Sequence, residues 1–336
     1  MVIKILYQKL SKYFKVYNMC RNYFSKCLSN LIKCFLLYRG LIRSQTFKMM
    51  CKDGSYIDLS LEGCRVIFSA PVENSTLSCK DGVLVLQGYL IPFKELLISE
   101  DIPVALKYGW KYDMFHKCWV KDDVKFKHMR YTILSVFEYS IYRYVDVAGK
   151  TVVDIGAYIG VASIYFALKG ARKVIAIEPH PKAFKEMLMN IKLNEHEDKV
   201  VPINAGLASR PGEICVENVD IKNTYRSYLK PILISSCKDK VPAITLSEII
   251  EKYNIKEAVL KMNCEGCEYD VLLNEDPRVF TVFDQLFISY HHGYLELKKV
   301  LEMAGYRVII IPIKGKSVKK QGFILAKHKQ YNVKEW

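Results

Sequence analysis

The sequence predicts an α/β chain whose larger, C-terminal part forms a doubly wound, mostly parallel sheet. Three observations carry this. The apolar runs Thr151–Ile155 and Lys173–Ile177 each hold or meet an acid at their C-terminal end, Asp154 and Glu178. Between them lie a turn that keeps Gly156 and Gly160 and an amphipathic stretch, Val161 to Leu168. Beyond them, short apolar runs alternate regularly with helix-period segments, the pattern of parallel strands joined by crossover helices.

The first strand and its turn point to a nucleotide ligand. Gly156 and Gly160 let backbone approach a ligand where a Cβ would collide. Glu178, at the tip of the second strand, can accept both hydroxyls of a ribose. A dinucleotide turn needs glycines two and five positions after Gly156, and those positions hold Tyr158 and Val161, so NAD is disfavoured. D-x-G-x-x-x-G with an acid about 20 residues further on fits S-adenosylmethionine better, because that ligand has no pyrophosphate to seat. The competing reading is an ordinary parallel sheet with a tight turn.

The elements follow in order. The first helix spans Gly160 to Leu168, and the second, Pro181 to Leu193, starts with proline in its favoured first turn. Val200 to Ile203 is the third strand. An irregular insertion, Ser209 to Lys240, precedes a short helix capped by Thr245 or Ser247. Ala258 to Met262 and Gln285 to Ser289 are strands four and five, the latter followed by a helix from Tyr294 to Met303. Tyr306 to Ile313 and Gly322 to Ala326 form a terminal antiparallel hairpin. The expected fold is thus a class I methyltransferase (Rossmann-like) seven-stranded sheet in the order 3-2-1-4-5-7-6.

Three segments make up the chain on this reading. Residues 131–336 are the Rossmann-like domain, led in by a helix from Tyr131 to Tyr144. Residues 46–130 form a small β-rich accessory domain, with turn signals at Lys52-Asp-Gly54 and Lys80-Asp-Gly82 ahead of Tyr56–Leu59 and Val83–Leu86. Residues 1–45 form a basic amphipathic helical extension, with apolar or aromatic residues from Ile3 to Leu41 at alternating spacings of three and four.

Charge sets this extension apart. The net charge is +15, yet residues 1–50 hold ten Lys or Arg and no acid, leaving +5 for the remaining 286 residues. No apolar run approaches 18 residues, so a spanning helix is not expected, and no cleavable secretory signal is recognisable. Three partners suit the extension: the body or a second copy of the chain, an anionic membrane surface, or a nucleic-acid backbone, the last ranked below the others. Its acid-free start also resembles a transit peptide, against which its length and Lys-rich character argue. A cytoplasmic protein, peripheral at the membrane if the extension binds lipid, is the expectation.

The eleven cysteines show no metal or disulfide framework. Cys20, Cys27 and Cys34 are seven apart, about 10 Å along a helix, too far to share an ion. Cys264-Glu-Gly-Cys267 matches C-x-x-C but has no second pair at zinc spacing. It reads as two buried small hydrophobes, and no metal is expected. So many unpaired cysteines fit a reducing compartment.

The motifs VVDIGAYIG, IEPHP, NAGLAS and LKMNCEGCEYDVL, followed by SYHHG, resemble the FkbM family of S-adenosylmethionine-dependent methyltransferases over about residues 130–328. The resemblance implies that Asp154, Gly156, Ala157, Tyr158 and Gly160 wrap the methionine portion. It implies too that Glu178 holds the ribose and that Asn204 and Ala205 lie against the adenine. The family's K-x-D-x-E-G-x-E appears here as Lys261-Met-Asn263-Cys-Glu265-Gly-Cys-Glu268, with Asn263 in place of the usual Asp.

That replacement matters chemically. An alcohol acceptor must lose a proton during methyl transfer, and Asn cannot take one. Asn263 can still contact the methionine ammonium or orient the acceptor. Glu265 and the adjacent His291 and His292, at the ends of neighbouring strands, are then the candidates for the base. Glu268 either makes a structural ion pair or joins the chemistry, and Lys261 either snorkels or pairs with a carboxylate. The expected activity is O-methylation of a hydroxyl on a glycan, glycolipid or secondary metabolite. The alternatives are a catalytically impaired cofactor-binding scaffold and an RNA methyltransferase. Against the last stands the lack of an N-P-P-Y-type motif after the fourth strand. Oligomer formation is left open.

Overall fold

The computed structural model describes residues 46–50, 55–60, 77–80, 83–86, 89–96, 98–216 and 239–329. The chain divides into two compact units, Met1–Glu138 and Tyr139–Trp336. The expected helix over residues 1–45 lies outside the described residues.

Within the first unit, short antiparallel sheets follow one another. Thr46–Met50 pairs with Tyr56–Ser60, Val83–Leu86 lies between Leu77–Lys80 and Tyr89–Pro92, and Cys118–Lys121 lies between Lys111–Asp113 and Val124–Phe126. Trp110, Trp119 and Phe126 are fully buried and form its aromatic core, with Trp110 and Phe126 ring centres 6.0 Å apart. The helix expected over Tyr131 to Tyr144 stops at Phe137 and belongs to this unit. Its end has a local cause. The next residue, Glu138, spends its carboxylate on Trp110 Nε1 at 2.7 Å and Lys121 Nζ at 2.7 Å, and Ser140 turns left-handed at φ +51°.

The second unit is built on seven strands: β1 (Thr151–Ile155), β2 (Lys173–Ile177), β3 (Val200–Ile203), β4 (Ala258–Met262), β5 (Phe283–Tyr290), β6 (Tyr306–Pro312) and β7 (Gly322–His328). Their order is β3-β2-β1-β4-β5-β7-β6, parallel except for the antiparallel β5–β7 and β7–β6 pairings. β1, β4 and β5 are buried along their whole length, which is why they read as nearly unbroken apolar runs. Each Val, Ile or Leu so covered contributes roughly 1.5–3 kcal/mol.

Two of the helices, α2 and α3, start where a side chain satisfies one of their first N–H groups. α1 (Val161–Leu168) begins after Gly160, whose φ is +83°. α2 (Pro181–Leu193) has proline in its first turn, and His180 accepts from Ala183 N–H at its cap. α3 (Leu246–Tyr253) starts with a reciprocal box, in which Thr245 Oγ1 accepts from Glu248 N–H and Glu248 accepts from Thr245 N–H. α4 (Cys267–Asn274) and α5 (Leu295–Met303) complete the layer.

The insertion expected to be irregular contains sheet. Gly212–Val216 pairs antiparallel with Asp239–Ile244, which pairs parallel with Gly206–Leu207. Ile214 packs so closely on Gly206 that a Cβ there would overlap its Cδ1. This pairing joins segments more than twenty residues apart, and no local alternation announces it.

Candidate active site

The site gathers at the C-terminal ends of β1, β2, β4 and β5, where parallel sheets of this kind bind ligands. β1 runs into a turn in which Gly156 has φ +71° and Tyr158 φ +54°. Gly156 N–H and Ala157 N–H both donate to Ile177 O at 3.0 Å, pinning the turn to the end of β2. A Cβ on Gly156 would overlap the Asn263 carbonyl, and one on Gly160 would come within 2.9 Å of Met187 Cγ. These glycines are thus required by the protein's own packing, whatever they also offer a ligand. A Cβ on either would point into protein, and their absence lets the turn lie against the β4 loop and α2.

The expectation for Asp154 is corrected. Its side chain is fully buried, accepts from Ser163 Oγ at 2.6 Å and pairs with Lys261 Nζ at 2.7 Å. Asp154 and Lys261 are register partners on β1 and β4, which places their side chains on one face of the sheet. Lys261 Nζ also donates to Gly156 O at 2.9 Å and Ile155 O at 3.2 Å. The pair thus supports the turn from beneath and does not reach toward a ligand.

Glu178 sits on the other side of the turn. Its Oε2 accepts from Tyr158 N–H and its Oε1 from His180 N–H, each at 2.8 Å. Burial pushes its carboxyl up to about 7, against the pull of these two bonds and of Lys261. A carboxylate has about four acceptor positions. Two are taken by backbone N–H groups and two remain. Asn204 Nδ2 donates to Glu178 O at 2.8 Å and Pro179 O at 3.2 Å, tying the end of β3 to the loop after β2. Ala205 is buried in the core with Ile177 and Leu207, so its methyl supports this wall from inside and offers no open face to adenine.

The β4 loop carries the candidate acid–base residues. Asn263 is exposed, and its N–H donates to Ile155 O at 3.0 Å. Cys264 and Cys267 are joined by a disulfide, which overturns the expectation of two separate small hydrophobes. Cys215 is disulfide-bonded too, whereas Cys118 is a free, buried thiol, so among the described residues the reading of unpaired thiols holds only in part. Among those residues, Cys264, Cys267 and Glu268 are the one grouping whose donor atoms lie within 4.8 Å of each other. While the sulfurs are bonded to each other they are not thiolate ligands.

Between the cysteines, Glu265 is left-handed at φ +55° and Gly266 has φ +127°. Glu268 is fully buried; it accepts from Gly266 N–H at 2.9 Å and holds His291 Nδ1 at 2.8 Å. His291 Nε2 lies 3.4 Å from Glu265 Oε1. Burial alone would lower the His291 pKa, but the bond to Glu268 and the charges of Glu265 and Glu268 outweigh it and leave it raised. Burial raises the Glu265 carboxyl, reinforced by Glu268 and opposed by His291 and Lys261. His292 is exposed, its ring 5.6 Å from that of Tyr269. Its N–H donates to Tyr269 Oη at 2.8 Å, and Tyr269 in turn donates to Gly293 O at 2.6 Å.

Of the expected site residues, then, the structure brings Glu265 and His291 within 3.4 Å of each other and sets Asn263 against Gly156. It removes the side chains of Asp154 and Ala205 from the open face. Sequence reasoning left the roles of Glu268 and Lys261 open. A lysine inside an all-buried strand demands an acid on the neighbouring strand, and that signal does identify Asp154.

Residues 154–308, just under half of the chain, match the model of the Methyltransferase FkbM domain. The second unit carries an FkbM methyltransferase domain. S-adenosylmethionine is the cofactor of this FkbM domain. The spare acceptor positions of Glu178 and the close turn from Gly156 to Gly160 fit it.

Curated relatives match over shorter stretches. The chain is 37% identical over 91 residues to the tRNA(Phe) (4-demethylwyosine(37)-C(7)) aminocarboxypropyltransferase of Pyrococcus horikoshii, covering 27% of this chain and 33% of the relative. It is 36% identical over 70 residues to the ribosomal protein L11 methyltransferase of a Geobacter species (strain M21), covering 20% and 23%. The chain thus spans a third or less of the length of these relatives. Among solved structures, the methyltransferase FkbM of Methylobacillus flagellatus KT aligns with a TM-score of 0.40 and 15% identity, over 70% of this chain and 54% of that one. No helix among the described residues is long and apolar enough to cross a membrane.

Proposed function

We propose that the chain is an O-methyltransferase that moves a methyl group from S-adenosylmethionine to a hydroxyl of a glycan, glycolipid or secondary metabolite, with His291 as the general base. The observation that carries this is the line Glu268–His291–Glu265 at the ends of β4 and β5. A neutral His291 donates its Nδ1–H to the buried Glu268, and this leaves the lone pair on Nε2 free to accept a proton. Asn263, standing where the family has Asp, then needs no basicity of its own and serves to orient the acceptor or the cofactor's ammonium.

When bound, the cofactor supplies a methyl carbon made electrophilic by its sulfonium. His291 Nε2 would take the proton of the acceptor hydroxyl as that oxygen received the methyl group. Glu265, 3.4 Å away, stabilises the imidazolium that results, and Glu268 fixes the ring's tautomer and direction. Glu178, the Tyr158 backbone and Asn204 form the nucleoside side of the cleft.

The test is methyl transfer from labelled cofactor into glycan and lipid extracts, with total tRNA and ribosomal protein as competing acceptors. Those competitors are chosen because the relatives named above act on RNA and carry ribosomal-protein methyltransferase names. Transfer should fall by about 10²–10⁴ in His291→Ala, the usual contribution of a positioned base. In Glu268→Gln the alkaline rise of the rate profile should move to lower pH, because one of the influences raising His291 has gone. Label entering only tRNA or ribosomal protein, or a His291→Ala enzyme of full activity, would overturn the assignment.

A further inference from the structure

We propose that Cys264 and Cys267 form a reversible dithiol–disulfide switch that sets the shape of the β4 loop and thereby the affinity for the nucleoside cofactor. The inference rests on the cofactor cleft described under the proposed function.

The placement of the two sulfurs is the first argument. They bracket Glu265 and Gly266, the only two residues between the exposed Asn263 and buried Glu268 that are not themselves cysteines. Glu265, a residue with a Cβ, is held left-handed at φ +55° within the ring that the disulfide closes. Such a conformation is disfavoured for a non-glycine residue and persists only where the surroundings enforce it. The Cys264–Cys267 bond is such an enforcing link.

The second argument is contact with the cofactor turn. A Cβ on Gly156 would overlap the Asn263 carbonyl and lie 3.3 Å from Cys264 Cα, so the loop and the turn have no slack between them. Asn263 N–H is tied to Ile155 O at 3.0 Å. A change of backbone at Glu265 is therefore felt at Gly156 through one residue. The third argument is a proton partner. Cys264 Sγ lies 3.3 Å from Glu268 Oε2, so a thiol formed there has a buried carboxylate to donate to, the same carboxylate that directs His291.

The exchange balances with a low-molecular-weight thiol such as glutathione as co-reactant. A glutathione thiolate attacks Cys264 Sγ, the more accessible of the two, forming a mixed disulfide and breaking the bond to Cys267. Cys267 leaves as a thiolate at the first position of the eight-residue α4, where the helix terminus favours negative charge, and then takes a proton. A second glutathione thiolate resolves the mixed disulfide, so that two thiols are oxidised to glutathione disulfide as the protein disulfide is reduced. Glutathione disulfide drives the reverse reaction. In the reduced protein Glu265 relaxes, Asn263 withdraws from Gly156, and Cys264 competes with His291 for Glu268.

The full chain is equilibrated in glutathione buffers from oxidising to reducing. The thiols are trapped by alkylation and mapped by peptide mass, and binding of S-adenosylhomocysteine is measured on the same samples by calorimetry. The peptide carrying Cys264 and Cys267 should pass from disulfide to doubly alkylated within the buffer series. Affinity should fall in step by roughly tenfold, the size expected when an enforced left-handed residue is released. A Cys264→Ser, Cys267→Ser double variant with unchanged circular dichroism should bind with an affinity that no longer responds to the buffer. Equal binding by oxidised and reduced wild type would overturn the switch alone. So would a pair that never changes state, or one that retains stoichiometric zinc on reduction. Binding in neither state would overturn the cofactor reading and the switch with it.

Discussion

Glu178→Gln tests the cofactor cleft most directly. The carboxylate of Glu178 takes Tyr158 N–H on one oxygen and His180 N–H on the other. Glutamine has one acceptor oxygen, so one of those N–H groups must face an amide NH₂, at roughly 1–3 kcal/mol for an unsatisfied buried donor. The variant also loses a charged acceptor for a ribose hydroxyl, worth about 1.5–3 kcal/mol. The first cost falls on the stability of the free protein; the second, at about 1.4 kcal/mol per tenfold, should weaken cofactor affinity by roughly 10- to 100-fold above neutral pH. The pH dependence provides a second, independent readout. The carboxyl is raised from 4.5 to about 7 by burial, so its ionised, ribose-accepting form is lost as pH falls below about 7.

The stability linkage has the opposite sense. A raised folded-state value contributes stability that is fully present below about 4.5 and lost as pH rises through about 7, some 3 kcal/mol in all. Wild type should therefore bind S-adenosylhomocysteine more weakly at about pH 6 than at about pH 8, while its apo form grows more stable. Glu178→Gln should lose both slopes. Calorimetric titrations and thermal melts at both pH values decide this. Wild-type affinity in the variant, or parallel pH profiles in the two proteins, would refute the reasoning.

Two further substitutions probe what holds the turn. Lys261→Met leaves Asp154 buried without its cation and should destabilise by about 3–5 kcal/mol in denaturant titrations; adding Asp154→Asn should recover much of that loss. Gly156→Ala meets the Asn263 carbonyl and a φ of +71°, so it should cost at least about 2–4 kcal/mol by thermal melting. A Gly156→Ala protein with unchanged melting temperature would show that the two loops are not in register.

The sequence by itself determined the sheet and most of its strand ends. β1, β2, β3 and β4 and helix α2 lie at the residues read from pattern alone, because fully buried strands and a proline-started helix carry strong local signals. It also determined that Glu178 and the Asn263–Glu268 segment lie at strand tips. What those residues touch is set by long-range packing. Gly156 proved to be shaped by the Asn263 carbonyl, Asp154 by Lys261, and His291 by Glu268, each pairing between segments at least twenty residues apart. The Cys264–Cys267 bond is the instructive exception, since its partners are three residues apart. C-x-x-C permits a disulfide, a metal site or two packed thiols alike. The left-handed turn at Glu265 and Gly266 that accompanies the bond has no signature in the local sequence.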